Sequence, residues 1–147
     1  MIEHLWSILC QNCLVDKITN TISLIEVVED LSVGGQLPAT GVGVIPIRCS
    51  LVSSWERRPA DQATRGTAKF RAVRPTGESD VEQEYSIDLS SSARSRTIAK
   101  INGITFRELG MHIFEIYMKD EGGTEWTKVA AIPINIKQLP PPESNQP

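Results

Sequence analysis

From Gly110 onward, apolar and polar residues alternate with a period of two. His112, Phe114, Ile116 and Met118 fall on one parity, and Met111, Ile113, Glu115, Tyr117 and Lys119 on the other. Successive side chains of an extended strand point to opposite faces, so this spacing suits a strand and not a helix. Asp120-Glu121-Gly122-Gly123 supplies a turn, and Trp126 to Ile136 reads as the returning strand.

The same reading extends backwards along the chain. Leu5 to Val15, the polar turn Asp16 to Asn20, and Thr21 to Val33 form a hairpin signal. A parity change after Leu24 predicts a bulge there. Ile22 to Leu31 also fits a helical stripe, but its β-branched residues favour a strand. After Gly34-Gly35, Val42 to Ser54 alternates, with Pro46 expected at a bulge, edge or strand start. Glu56 to Arg65 reads as loop, Lys69 to Arg74 as a short strand and Pro75 to Glu78 as a turn. Val81 to Leu89 and Thr97 to Ile104 complete the set, separated by Ser90-Ser91-Ser92.

About eight closely spaced strands predict an all-β, antiparallel β-sandwich, which the resemblance below makes immunoglobulin-like. Residues 1–138 form the single expected domain, and residues 139–147, with four prolines, a disordered tail. A chain of 147 residues can bury roughly two-thirds of its unfolded surface without a metal or disulfide.

The closing segment, Gly110-x-x-x-Phe114-x-Ile116-x-x-x-Asp120 followed by Pro133-Ile134-Asn135-Ile136, resembles the last hairpin of many immunoglobulin-like sandwiches. Leu9-Cys10-Gln11-Asn12-Cys13, Asp16-Lys17 and Ser23-Leu24-Ile25-Glu26-Val27, with Leu51-Val52-Ser53-Ser54-Trp55, are similar to a bacterial family of sandwich-like proteins that has no assigned activity. The resemblance implies a fold, a cytoplasmic compartment and a bacterial or phage source. It brings no site.

Charge and cysteines narrow the functional classes. The net charge of -3 and pI near 5.4 offer no basic face for a phosphate backbone, so nucleic acid is not expected. Apolar runs stop short of membrane-spanning length, and an acid follows Met1-Ile2 where a secretion signal would be basic. Cys10, Cys13 and Cys49 are odd in number and suit reduced thiols in the cytoplasm.

Chemistry has few carriers. Cys10-x-x-Cys13 has metal-knuckle spacing but lacks a second ligand pair, and at least one thiol is expected in the core. His4 is placed at a frayed terminus, and His112 partly buried among apolar neighbours. Neither a nucleophile elbow nor a phosphate loop occurs, so no metal, cofactor or catalytic residue is expected. Glu26, Glu29 and Asp30, and Asp80, Glu82 and Glu84, are acidic clusters, the second being the polar face of a strand.

Trp55, Arg57 and Arg58 are candidate binding residues, since Trp and Arg dominate interface hot spots. Trp55 has an alternative role covering the end of the core. Arg94 and Arg96, two apart on one strand face, form a second basic spot suited to a carboxylate. The expectation is a non-enzymatic binding or assembly module. A protein partner or a second copy is favoured over a small molecule, and the rival is a small-ligand carrier or a hydrolase with carboxylates from separate strands.

Overall fold

A computed structural model describes residues 1–35 and 41–140. Every regular element among them is a strand: β1 (Ile2–Val15), β2 (Ile22–Val27), β3 (Asp30–Val33), β4 (Gly43–Arg57), β5 (Thr64–Val73), β6 (Ser79–Leu89), β7 (Arg94–Phe106), β8 (Gly110–Asp120) and β9 (Thr127–Gln138). One sheet has the order β2-β1-β4-β7 and the other β3-β9-β8-β5-β6. Leu9, Leu51, Trp55 and Ala99 of the first sheet meet Phe70, Ile87, Ile116 and Ile134 of the second in one buried cluster.

Alternation places this core. On β8, His112, Phe114, Ile116 and Met118 are buried, whereas Met111, Ile113, Glu115 and Tyr117 are not. The hairpins β1–β2 and β8–β9 both form, as their turn residues require. The Pro75 turn closes with the Gly77 N–H donating to the Arg74 carbonyl. Pro46 falls where the β4–β7 register shifts between Ile45 and Arg48, so its missing donor breaks no regular ladder.

Several expectations are corrected. The run Thr21 to Val33 is two strands, not one bulged strand. Glu26 takes a left-handed conformation at φ 57°, and the chain crosses from one sheet to the other, giving nine strands. The second of these, β3, pairs with β9 in parallel, so the fold is not wholly antiparallel. Glu56 and Arg57 belong to β4 rather than to a loop, and Arg65 to β5. His4 is held within β1 opposite Trp55 instead of fraying.

Gly34 lies at the start of a connection that continues into residues outside the described set. Of the expected tail, Leu139 donates its N–H to the Val33 carbonyl. Residues 141–147 lie outside the described residues, so most of the expected tail does too.

A further departure shapes the surface. Cys49 to Trp55 are seven consecutive buried residues, where alternation predicted one buried face. Leu51 and Trp55 point into the inter-sheet core, but Val52, also fully buried, is outside that cluster. Something covers the back of β4.

Candidate functional site

The β1–β2 hairpin reaches this side of the sheet beside Ser54. Strand β1 pairs with β4 only from Ile2 to Cys10, and from Asn12 to Val15 it pairs with β2 alone. Trp6 and Arg96 both sit opposite Ser54, one on each side of β4. Yet Arg96 Nη2 donates to the Asn20 carbonyl at 2.6 Å and to Asn20 Oδ1 at 2.8 Å. The hairpin tip therefore returns over the back of the sheet to the level of Trp6. We call residues 12–25 the arm.

Local chemistry fixes the tip. Asp16 Oδ1 accepts the N–H groups of Ile18 (2.8 Å) and Thr19 (3.1 Å), an Asx turn, and Asn20 adopts φ 58°, which asparagine tolerates. Period two then sorts the arm's side chains. Val15 and Ile22 are register partners facing the sheet, whereas Leu14 and Ile25 share the outward face. Leu14 is 60% exposed, Ile25 40% and Val27 50%, and Ile18 at the tip is 95% exposed.

Between arm and sheet runs a cleft of about 690 Å³. Trp6, Val15, Ile22 and Ile98 supply apolar wall, and Ser54, Ser95, Thr21, Asn20, Arg94 and Arg96 the polar groups. Arg94 and Arg96 thus meet at one site, as their spacing implied. The other three expected binding residues divide differently. Trp55 is 0% exposed, with its indole N–H donating to Thr97 Oγ1 at 2.9 Å, so it presents no surface to a partner. Arg57 donates to the carbonyls of Ala60 and Leu89, both at 2.6 Å, and ties the β4 end to its neighbouring loop. Arg58 and Arg94 share Glu56, and Arg58 also reaches Glu3. Arg94 first, then Arg58, holds the Glu56 carboxyl below the usual range. These exposed pairs add little stability.

The interior beside Trp55 is polar. His4 Nε2 and Ser7 Oγ lie 2.7 Å apart, Ser7 Oγ and Ser53 Oγ 2.6 Å apart, and the His4 ring packs edge-on against Trp55. Among the described residues no carboxylate bonds to His4, so this hydroxyl chain lacks the third member of a triad. Burial lowers the His4 pKa from its usual value near 6.5, opposed by a hydrogen bond with the Trp6 backbone. The folded state therefore binds this proton more weakly than the unfolded chain. Its contribution is full above pH ~6.5 and declines as the pH falls below that value. Thermal melts between about pH 7 and pH 5.5 should lower the midpoint of the wild type more than that of His4→Gln. Parallel curves would show that His4 is not the linked group.

On the outer face of the five-stranded sheet lies a group that reading the sequence missed. Lys69 and Lys119 sit 4.4 and 4.6 Å from the Trp126 ring centre, and Arg71 stacks on Tyr117 at 5.2 Å. Arg71 and Lys128 both engage Glu115, holding its carboxyl down to about 2, with Lys128 the larger influence. The outward parity of Lys69, Arg71, Tyr117 and Lys119 was visible, but their meeting required the register of β5 with β8. These groups satisfy one another and leave little for a partner.

Carboxylates from separate strands do line one depression of about 460 Å³: Asp88 and Asp120, with Glu121, Arg65 and Lys119. Asp120 Oδ1 accepts the Ile2 N–H at 3.1 Å. Hydrogen bonds from Ser90, with Arg65 nearby, lower the Asp88 pKa. A general acid for glycoside cleavage needs the opposite shift. Of the thiols, Cys10 and Cys49 are buried and Cys13 half-buried. Burial, with Cys10 adding, pushes the Cys49 thiol up to about 11. His112 is buried with Nδ1 3.1 Å from the Gly110 carbonyl and Nε2 unpartnered among the described residues.

No helix among the described residues is long and apolar enough to cross a membrane. No known protein family matches the chain, and no curated protein shows significant similarity to it.

Proposed function

We propose that the chain is a non-enzymatic binding or assembly module whose contact element is the arm. The observation that carries this reading is the exposed apolar set of the β1–β2 hairpin, Leu14 on β1, Ile18 at the tip, and Ile25 and Val27 on β2, whose outer edge is free. Four exposed branched side chains on one short hairpin exceed the scattered apolar residues of an ordinary surface. Strand β2 is also an edge with unpaired backbone groups, which a second strand can extend. By contrast, the edge strand β6 carries Asp80, Glu82 and Glu84, charges that discourage pairing.

The partner is a protein, either a second copy of this chain or another strand-presenting surface. An immunoglobulin-like class is supported by the order β9-β8-β5-β6, which follows the G-F-C-C′ order of variable-type sheets, with β4 beside β7 as B lies beside E. Strand β1 lies beside β4 as A lies beside B, and β2, outside it, is an addition to that plan. The odd cysteine count supports a reducing, cytoplasmic setting.

A photo-crosslinking amino acid at position 18 tests the reading in the protein's own host. Ile18 substituted in this way should give a discrete protein adduct on illumination, and the same probe at Ser92, in the β6–β7 connection, should give none. Adducts absent at position 18, or equal at both positions, would remove the arm as the contact element.

A further inference from the structure

We propose that the cleft between arm and sheet binds a small amphipathic carboxylate, with Arg94 and Arg96 taking the carboxylate and Trp6, Val15, Ile22 and Ile98 the apolar part. This site lies on the opposite face of the arm from the protein contact proposed above, and neither depends on the other. Its volume, about 690 Å³, is within the range of small-molecule pockets.

Charge sets the ligand's sign. The lining holds two guanidinium groups and no carboxylate. Glu56 is shared between Arg94 and Arg58, with Glu3 a second anion on Arg58, so the uncompensated charge of the lining is Arg96, which pairs with no carboxylate among the described residues. Arg96 spends only Nη2 on Asn20, which fixes the plane of its guanidinium while leaving Nε and Nη1 unpartnered among the described residues. Both two-pronged faces of a guanidinium include Nη2, so Arg96 offers a carboxylate its charge and single N–H donors from Nη1 or Nε. Asn20, Ser54, Ser95 and Thr21 add neutral polar groups.

The walls set the rest. Val15 and Ile22 from the arm face Trp6 and Ile98 from the sheet, and Ile98 remains 40% exposed. A chain or ring laid between them removes apolar surface from water on both sides. Inorganic anions lack this part, and neutral lipids lack the charge. The arm crosses one end of the cleft at the Arg96–Asn20 contact.

Titration calorimetry with octanoate tests the proposal, with octanol, acetate and a short acidic peptide as comparisons. Octanoate should bind one per chain and shift the Trp6 indole resonance, whereas octanol and acetate should do neither at the same concentration. Arg94→Gln and Arg96→Gln should each weaken binding at least about tenfold, the scale of a lost charge-assisted hydrogen bond. Because Arg96 also pins Asn20, Ile98→Asp provides a second variant that places a negative charge on the wall and leaves the pin untouched. It should abolish binding while the thermal midpoint stays within the range of the arginine variants. Absence of octanoate binding, or binding unchanged in both Arg94→Gln and Ile98→Asp, would overturn the proposal. So would binding of the acidic peptide in place of octanoate, which would assign the cleft to a protein ligand.

Discussion

Replacing Trp55 by alanine is expected to cost about 3–5 kcal/mol of folding stability, the range for deleting a fully buried large aromatic. Trp55 is the largest side chain with no exposed surface. It packs against His4 with ring centres 5.1 Å apart and donates its indole N–H to Thr97 Oγ1. Alanine would open a cavity between the sheets and leave the Thr97 hydroxyl without that donor. Since domains of this kind are stable by roughly 5–15 kcal/mol, such a loss brings the fold close to its threshold. Urea unfolding followed by circular dichroism measures the change, with an unaltered slope showing that the native state stays compact. Trp55→Phe should retain most of the packing and lose about 1–3 kcal/mol, mainly through the unpaired hydroxyl. An alanine variant within about 1 kcal/mol of wild type would mean that Trp55 is not the core residue described here.

Gly66→Ala should destabilise the fold by about 1–3 kcal/mol. A Cβ at this position would stand 2.6 Å from Ile2 Cδ1 and 2.6 Å from the Lys119 carbonyl oxygen. The isoleucine tip can rotate away. The carbonyl belongs to β8, where Lys119 is paired with Thr67, so relief requires two strands to separate. Gly66 joins the end of β5 to the N-terminal strand of the other sheet, and the methyl would push at that junction. Gly34→Ala is the matched control, because its nearest heavy atom is 3.9 Å away and its backbone lies outside the left-handed region. Thermal melts should therefore separate the two variants. Equal midpoints would show that the junction is looser than these distances require.

The surface ion pairs make no comparable claim. Arg58, Glu3, Glu56 and Arg94 are linked, but Arg58 and Arg94 are largely exposed, and water screens what they gain. Glu3 and Glu56 balance Arg58 and Arg94, whereas Arg96 beside them meets only Asn20 among the described residues.

How far the sequence could be read depended on the range of the interaction involved. Strand type was legible because the side-chain period of two is local. His112 to Met118 placed their apolar parity inward, as the alternation requires. The turns at Asp16, Pro75 and Asp120 were legible for the same reason, since Asx bonding, a fixed proline φ and glycine act within a few residues. The pairing of Arg94 with Arg96 on one face was also local, and both line the same cleft.

Other features were hidden because they are set between distant segments. A parity change near Leu24 looked like a bulge within one strand, and nothing nearby records that the next strand joins the other sheet beside β9. Trp55 next to Glu56 and Arg57 allowed either a surface hot spot or a cover for the end of the core, and only the course of β4 through all three turns the indole inward. The cation–aromatic group around Trp126 needed the β5–β8 register.

The amino-acid sequence by itself determined an all-β chain and the order and parity of its main strands, since backbone extension and turn chemistry are properties of neighbouring residues. Tertiary structure alone decided that the first hairpin folds back over β4. That placement brings the arm beside Ser54 and Arg96, creates the cleft and exposes Leu14, Ile18 and Ile25. Its physical basis is that an alternating strand specifies two faces but not what each will meet. The second face of β4 is met at Ser54 by residues about thirty to forty positions away in the chain, and only their packing reveals it.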